Sequence, residues 1–181
     1  MPAPGEQLPL VDWLAQCGEA VALVFTDLVE STSLLYSQKT IDYTRMLRSH
    51  RQRAAALIRQ QRGRLIDGTG DKHFAVFRTA SQAYGFARDL FLAPGHPSLK
   101  IRAGVHYGAV RADASALVGR NVHLGARVME HAAGSELWLS DAARRALESE
   151  SPEIASAISW LHGEECALKG IPERQRLWRA G

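Results

Sequence analysis

The chain has 181 residues, 46% of them hydrophobic and 23% charged, and carries a net charge of +3. That composition fills the core of one domain and excludes disordered, fibrous and disulfide-stapled chains, and no apolar run approaches the ~20 residues of a membrane span. The opening MPAPGEQLPLVDWL has no basic segment and carries Glu6 and Asp12, so it does not read as a secretory leader; with Cys17 and Cys166 far apart and in no ligand spacing, a reduced, cytoplasmic setting is expected.

Residues 1–19 read as an arm, because Pro2, Pro4, Gly5, Pro9 and Gly18 oppose a helix, with an apolar patch at Leu10 to Leu14 to dock on the body. The domain proper spans 20–181. Val21 to Phe25 is a continuous apolar run and reads as a central strand ended by Thr26-Asp27. Ser31 or Thr32 caps one long helix to about Gln61, with Leu34, Leu35, Tyr43, Met46, Leu47, Ala54, Leu57 and Ile58 at helical spacing, a bend expected over Thr40 to Thr44, and Gly63 as the stop. Arg64 to Ile66 and His73 to Phe77 form a hairpin around DGTGD. A helix from about Ser81 to Leu92 ends at Pro94, Gly95 and Pro97. Ile101 to His106 is a strand with Ala109 to Arg111 as its hairpin partner, Val118 to Ala132 a helix, and Glu136 to Leu139 a strand. Asp141 caps a helix through Leu147, and short strands follow near Ser159 to Leu161 and Arg176 to Trp178. The order β-α-β-β-α-β is an α/β (α+β), ferredoxin-like core with a C-terminal αβ extension. That arrangement serves many activities, so it assigns none.

Two carboxylates stand at corresponding ends of this core, Asp27 after the first strand and Asp71 in the hairpin turn. Neighbouring strands bring both to one side, where hard oxygen donors suit Mg²⁺ carried with a triphosphate. Backbone N–H groups from Leu28 to Ser33 can receive phosphate. The alternative is a pair of turn aspartates bonded to their own backbone.

Taken in order, FTDLVESTSLL, TGDKHFAVF, IRAGVHYGAV, VGRNVHLGARV, SELWLS and ALKGIPERQRLW resemble the successive blocks of the class III nucleotidyl cyclase catalytic domain, over about residues 20–180. The resemblance implies in-line attack of a ribose 3′-hydroxyl on the α-phosphorus of ATP or GTP, giving a 3′,5′-cyclic nucleotide and pyrophosphate. It implies two ions per site, Mg²⁺ or Mn²⁺, on Asp27, Asp71 and the Leu28 carbonyl. The turn Val29, Glu30, Ser31 and Thr32 matches phosphate contacts, and Arg127 matches the arginine that stabilises charge on the α-phosphate, the alternative being a solvated helix arginine; Lys169 is a candidate phosphate contact or a strand-edge lysine facing solvent. It also implies a head-to-tail homodimer in which each site draws on both chains.

Several positions depart from the pattern. Asp67 stands where adenine-specific members place a lysine; a carboxylate accepts from guanine N1–H and N2–H₂ but cannot donate to adenine N1. Ala116 holds the second base-selecting position, with Ser115 beside it, and His123 replaces the asparagine that positions ribose. Glu30 brings a negative charge to a turn position where glycine is common, and Lys72 follows Asp71. These departures leave ATP and GTP both open, and they raise a second possibility, a weak or inactive cyclase-like domain that binds a nucleotide or partner and regulates. The arginines at 45, 48, 51, 53, 59, 62 and 64 read as a solvated face or one that meets an acidic partner, not as a nucleic-acid surface, since no aromatic lies between Tyr43 and Phe74 to stack bases. His50, His96, His131 and His162 show no ligand spacing and read as structural or solvated, and His73 and His106 as core residues.

Overall fold

A strand that is apolar at nearly every position belongs in the middle of a sheet, and Val21–Leu28 takes that place. The computed structural model describes residues 8–37, 40–114 and 116–181. In chain order the elements are α1 (Leu10–Ala15), β1 (Val21–Leu28), α2 (Ser31–Ser37), α3 (Thr40–Gln60), β2 (Arg64–Asp67), β3 (His73–Phe77), α4 (Ala80–Leu92), β4 (Ile101–Gly108), β5 (Arg111–Asp113), β6 (Ala116–Val118), α5 (Arg120–His131), β7 (Leu137–Ser140), α6 (Asp141–Glu150), α7 (Pro152–Ala157), β8 (Trp160–Cys166) and β9 (Gln175–Ala180). The sheet runs β2-β3-β1-β4-β7-β9-β8, and β5 and β6 form a separate ribbon. β1 is antiparallel to both β3 and β4, which makes β2-β3-β1-β4 the ferredoxin-like core, and β7 joins β4 in parallel. One face of the sheet packs Val24, Phe77 and Val105 against Leu57, Phe86 and Leu147 of α3, α4 and α6. On the other face, α1 and the ribbon cover Leu23 and Val76, and α5 covers Trp138 and Leu177.

Several sequence expectations change. The long helix is two, α2 and α3; Thr40–Thr44 lies inside α3, and the junction at residues 38–39 is outside the described residues. Leu35 is exposed, and the buried stripe of α3 is Met46, His50, Ala54, Leu57 and Ile58. Within the arm, Leu10–Ala15 is a helix despite the prolines, because Pro9 stands before its first turn and accepts Trp13 N–H at 2.9 Å. Leu10 and Trp13 are buried against the body, as the apolar patch suggests. Ala109–Arg111 does not pair with β4, whose two edges are taken by β1 and β7; β5 pairs with β6 instead. Ser140, not Asp141, caps α6: its Oγ accepts from Ala143 N at 3.2 Å, while Asp141 pairs with Arg145. Pro152 opens a further short helix, α7, and the last two strands are longer than expected.

Beneath the hairpin that carries Asp71, two buried histidines meet edge to face with ring centroids 5.0 Å apart. His50 Nδ1 bonds the Pro94 carbonyl at 2.7 Å, and His73 Nδ1 contacts Thr26 Oγ1 at 3.3 Å. Burial, and secondly the His50 ring, lower the His73 pKa to about 4. Burial lowers that of His50 as well. Both rings are therefore neutral in the fold, while in the unfolded chain they take protons near pH 6.5. Stability is then full above about pH 7 and declines as pH falls from 6.5 toward 4, by about 2 kcal/mol from His73 alone at pH 5. Melting temperatures measured from pH 7.5 to 5 are expected to fall, and less steeply in His73→Gln; an equal slope in the variant would assign the loss to other groups.

Candidate active site

Asp27 lies near the end of β1 with only 6% of its surface exposed. A carboxylate so buried needs a cation. It has one: Arg102, its register partner on β4, donates from Nη2 at 2.6 Å and from Nε at 3.2 Å to Asp27 Oδ2. Arg102 has no signal in the local sequence pattern; only the β1–β4 register, set by two apolar strands, brings it opposite Asp27. Thr26 pairs with His73 across β1 and β3, so Asp27 and Asp71 stand at the same end of adjacent strands. Arg51 of α3 braces the Asp71 turn by donating to the Gly70 carbonyl at 2.9 and 2.6 Å. Oδ1 of Asp27 takes no part in the Arg102 bonds, so the donor set here, carboxylate and carbonyl oxygens, suits a hard dication.

The turn after β1 folds against the start of β4. Val29 N–H bonds the Lys100 carbonyl at 2.8 Å, and Leu34 N–H bonds the Glu30 carbonyl at 3.0 Å. Leu28, Val29, Glu30, Arg102, Ala133 and Gly134 line a small cleft of about 190 Å³. Ser31 and Thr32 open α2. Glu30 is exposed and sits at φ +56, a left-handed conformation unfavourable for any residue with a Cβ.

The other predicted residues lie along α5 and the loop before β9. Arg127 pairs with Glu130 one turn on, and His123 is exposed. His123 borders a cleft of about 520 Å³ between Arg120, Asn121 and Leu124 of α5 and Gly170–Glu173 of the loop that Lys169 precedes. Asn121 anchors this end of the helix: it donates to the Ala109 carbonyl at 2.7 Å and meets His106 Nε2 at 3.1 Å, and His106 Nδ1 meets Ser140 Oγ at 2.7 Å. A Cβ on Gly108 would fall 2.6 Å from Asn121, which puts the His123 end of α5 over Gly108. Arg102 is six residues back along β4, about 20 Å away. The two groups of residues therefore do not converge at that end of α5.

Asp67 is exposed, and its Oδ1 accepts from Thr69 N at 3.2 Å and Thr69 Oγ1 at 2.6 Å, which caps the hairpin turn. Ala116 opens β6 opposite Asp113 and is exposed; Ser115 lies outside the described residues. Both thiols are raised by burial, Cys166 to about 11 with the Glu164 carboxylate as second cause, so neither is an activated nucleophile.

Residues 14–176 match the adenylate and guanylate cyclase catalytic domain family, and the chain belongs to it. Among solved structures it is similar to adenylate cyclase from Trypanosoma brucei in its monomeric state, at 20% identity, 90% and 88% coverage of the two chains and a TM-score of 0.77. It is similar to the guanylate cyclase domain of RhGC from Catenaria anguillulae in complex with GTP, at 20% identity, 90% and 96% coverage and a TM-score of 0.71. A third is the adenylyl cyclase CyaB from P. aeruginosa, at 17% identity, 90% and 93% coverage and a TM-score of 0.72. No curated protein sequence matches. No helix among the described residues is long and apolar enough to cross a membrane.

The left-handed turn gives a direct check. Glu30→Gly relieves about 1–2 kcal/mol of strain and adds roughly 0.4–1 kcal/mol of unfolded-chain freedom. A net gain is expected as a higher denaturation midpoint; a lower midpoint would mean that the Glu30 side chain contributes more than its backbone costs.

Proposed function

We propose that this protein is a nucleotidyl cyclase that converts a purine nucleoside triphosphate, ATP or GTP, to the 3′,5′-cyclic monophosphate and pyrophosphate, acting as a head-to-tail homodimer. The observation that carries this is the pairing of Asp27 and Asp71 at one end of adjacent strands, beside the Leu28–Glu30 turn and Arg102, in a chain of the cyclase catalytic domain family. Asp27, Asp71 and the Leu28 carbonyl are the groups that would hold two Mg²⁺ or Mn²⁺ ions. When bound, such ions lower the pKa of a coordinated hydroxyl and neutralise phosphate charge.

The chain's own residues supply the rest. The 3′-oxygen forms a bond to the α-phosphorus as the bond to the pyrophosphate oxygen breaks, and the hydroxyl proton leaves to solvent. Arg102 already holds one Asp27 oxygen and borders the cleft, so it fixes the carboxylate in place and offers positive charge to phosphate. The N–H groups of the turn through Ser31 and Thr32, with Lys169, orient the triphosphate, and Glu30 opposes its approach. Arg127 exchanges its Glu130 partner for the α-phosphate, and His123 hydrogen-bonds the ribose. Because the His123 end of α5 is about 20 Å along β4 from Arg102, a second copy is needed to bring His123 to the metal-binding carboxylates. Asp67 and Ala116, with Ser115 next to Ala116 in the sequence, are the base-selecting positions, and a carboxylate at Asp67 favours guanine.

The engagement of Asp27, Arg127 and Asp67 with intrachain partners supports a second reading, a slow or inactive domain that binds nucleotide and regulates. Incubating the purified protein with each nucleoside triphosphate and Mn²⁺ separates the two. Cyclic product is expected from ATP or GTP, falling at least ~100-fold in Asp27→Asn and Asp71→Asn. No product at any protein concentration that dimerises would leave the regulatory reading. Mixing Asp27→Asn with Arg127→Ala, each inactive alone, is expected to restore product through one intact site per heterodimer; silence in the mixture would overturn the shared-site arrangement.

A further inference from the structure

Away from the carboxylate pair, the last turn of α5 meets β8 through three side chains of different chemistry. His131 Nε2 lies 2.7 Å from Glu164 Oε1 and 3.6 Å from Cys166 Sγ, and all three donor atoms fall within 4.8 Å of one another. Sequence spacing hides this group. His131 ends a helix, and Glu164 and Cys166 are two apart on a strand, where alternate side chains share a face.

We propose that His131, Glu164 and Cys166 form a binding site for a borderline divalent cation of the zinc class, with solvent as the fourth ligand. A tetrahedral site with bonds of about 2.0–2.3 Å separates its ligand atoms by roughly 3.3–3.7 Å. The sulfur–nitrogen distance of 3.6 Å already fits. The nitrogen–oxygen distance of 2.7 Å must open by at least about 0.6 Å to reach that range, and the Glu164 side chain, 41% exposed, has room to move. Imidazole, thiol and carboxylate together select zinc-like ions over magnesium, whereas Asp27 and Asp71 offer oxygen alone. The surroundings hold the ligands in place: the Trp138 ring packs edge-on to His131 with centroids 4.7 Å apart, and Cys166 and Trp138 are both buried. The carbonyl end of α5 adds negative potential where the cation would sit. An ion here ties the end of α5 to β8, one helical turn beyond Arg127. The site does not depend on the cyclase reading.

Cobalt(II) is the direct probe, titrated into the reduced full chain with excess Mg²⁺ to occupy oxygen-only sites. A thiolate-to-cobalt charge-transfer band is expected, saturating at one ion per chain and abolished by Zn²⁺. Zn²⁺ is also expected to raise the melting temperature. His131→Gln and Glu164→Gln should each weaken cobalt binding at least ~10-fold, Cys166→Ala should remove the band, and Cys17→Ala should leave it intact. Because Cys166 is buried, the part-exposed Glu164→Gln keeps the test valid if Cys166→Ala fails to fold. Absence of the band in the unaltered protein overturns the site. So does a band that survives Cys166→Ala, or one whose affinity is unchanged in both His131→Gln and Glu164→Gln.

Discussion

Everything at the front of this molecule depends on one ion pair across two strands. Asp27 is buried in a position an unpaired carboxylate could not hold, and Arg102 stands opposite because β1 and β4 pair in one register only. That register is fixed by apolar residues such as Leu23, Val24, Ala103 and Val105, each committed to a buried face. A slip of one residue would exchange the sets packed on the two covered faces of β1 and take Asp27 away from Arg102. The hydrophobic pattern thus sets the electrostatics, and a candidate metal-binding carboxylate meets its guanidinium because the core is correctly aligned.

The same few elements set the candidate residues apart within one chain. β1 and β3 present Asp27 and Asp71 at one end, while the N-terminal end of α5, with Asn121 and His123, lies over the opposite end of β4. Within one chain, the polar groups instead satisfy each other: Arg102 with Asp27, Arg127 with Glu130, Asp67 with Thr69. Each such bond competes with any ligand that would use the same group.

Much of the architecture is legible in the sequence because its signals are local. The run Val21–Phe25, the hairpin around Asp71 and the helix ending before Pro94 are all present, and His73 and His106 are buried as their strands suggest. What is not legible depends on competition or distance. Ala109–Arg111 looks like a hairpin partner until both edges of β4 are seen to be occupied, and Asp141 looks like a cap until Ser140 takes that role. Asp27 and Asp71 can be read as a pair from the fold order alone, but Arg102 opposite Asp27, and His131 beside Cys166, need long-range register that no periodicity encodes.

Helix α5 rests on the sheet with almost nothing between them. A Cβ at Gly104 would lie 2.3 Å from the Met129 nitrogen, and one at Gly125 would lie 2.9 Å from the Phe25 ring. At Gly104 backbone meets backbone directly, so the helix has no room to slide or roll there. Arg127 and His123 are therefore mounted on a rigid beam. Any displacement of Arg127 and His123 beyond their own rotamers would have to carry β4 along with the helix.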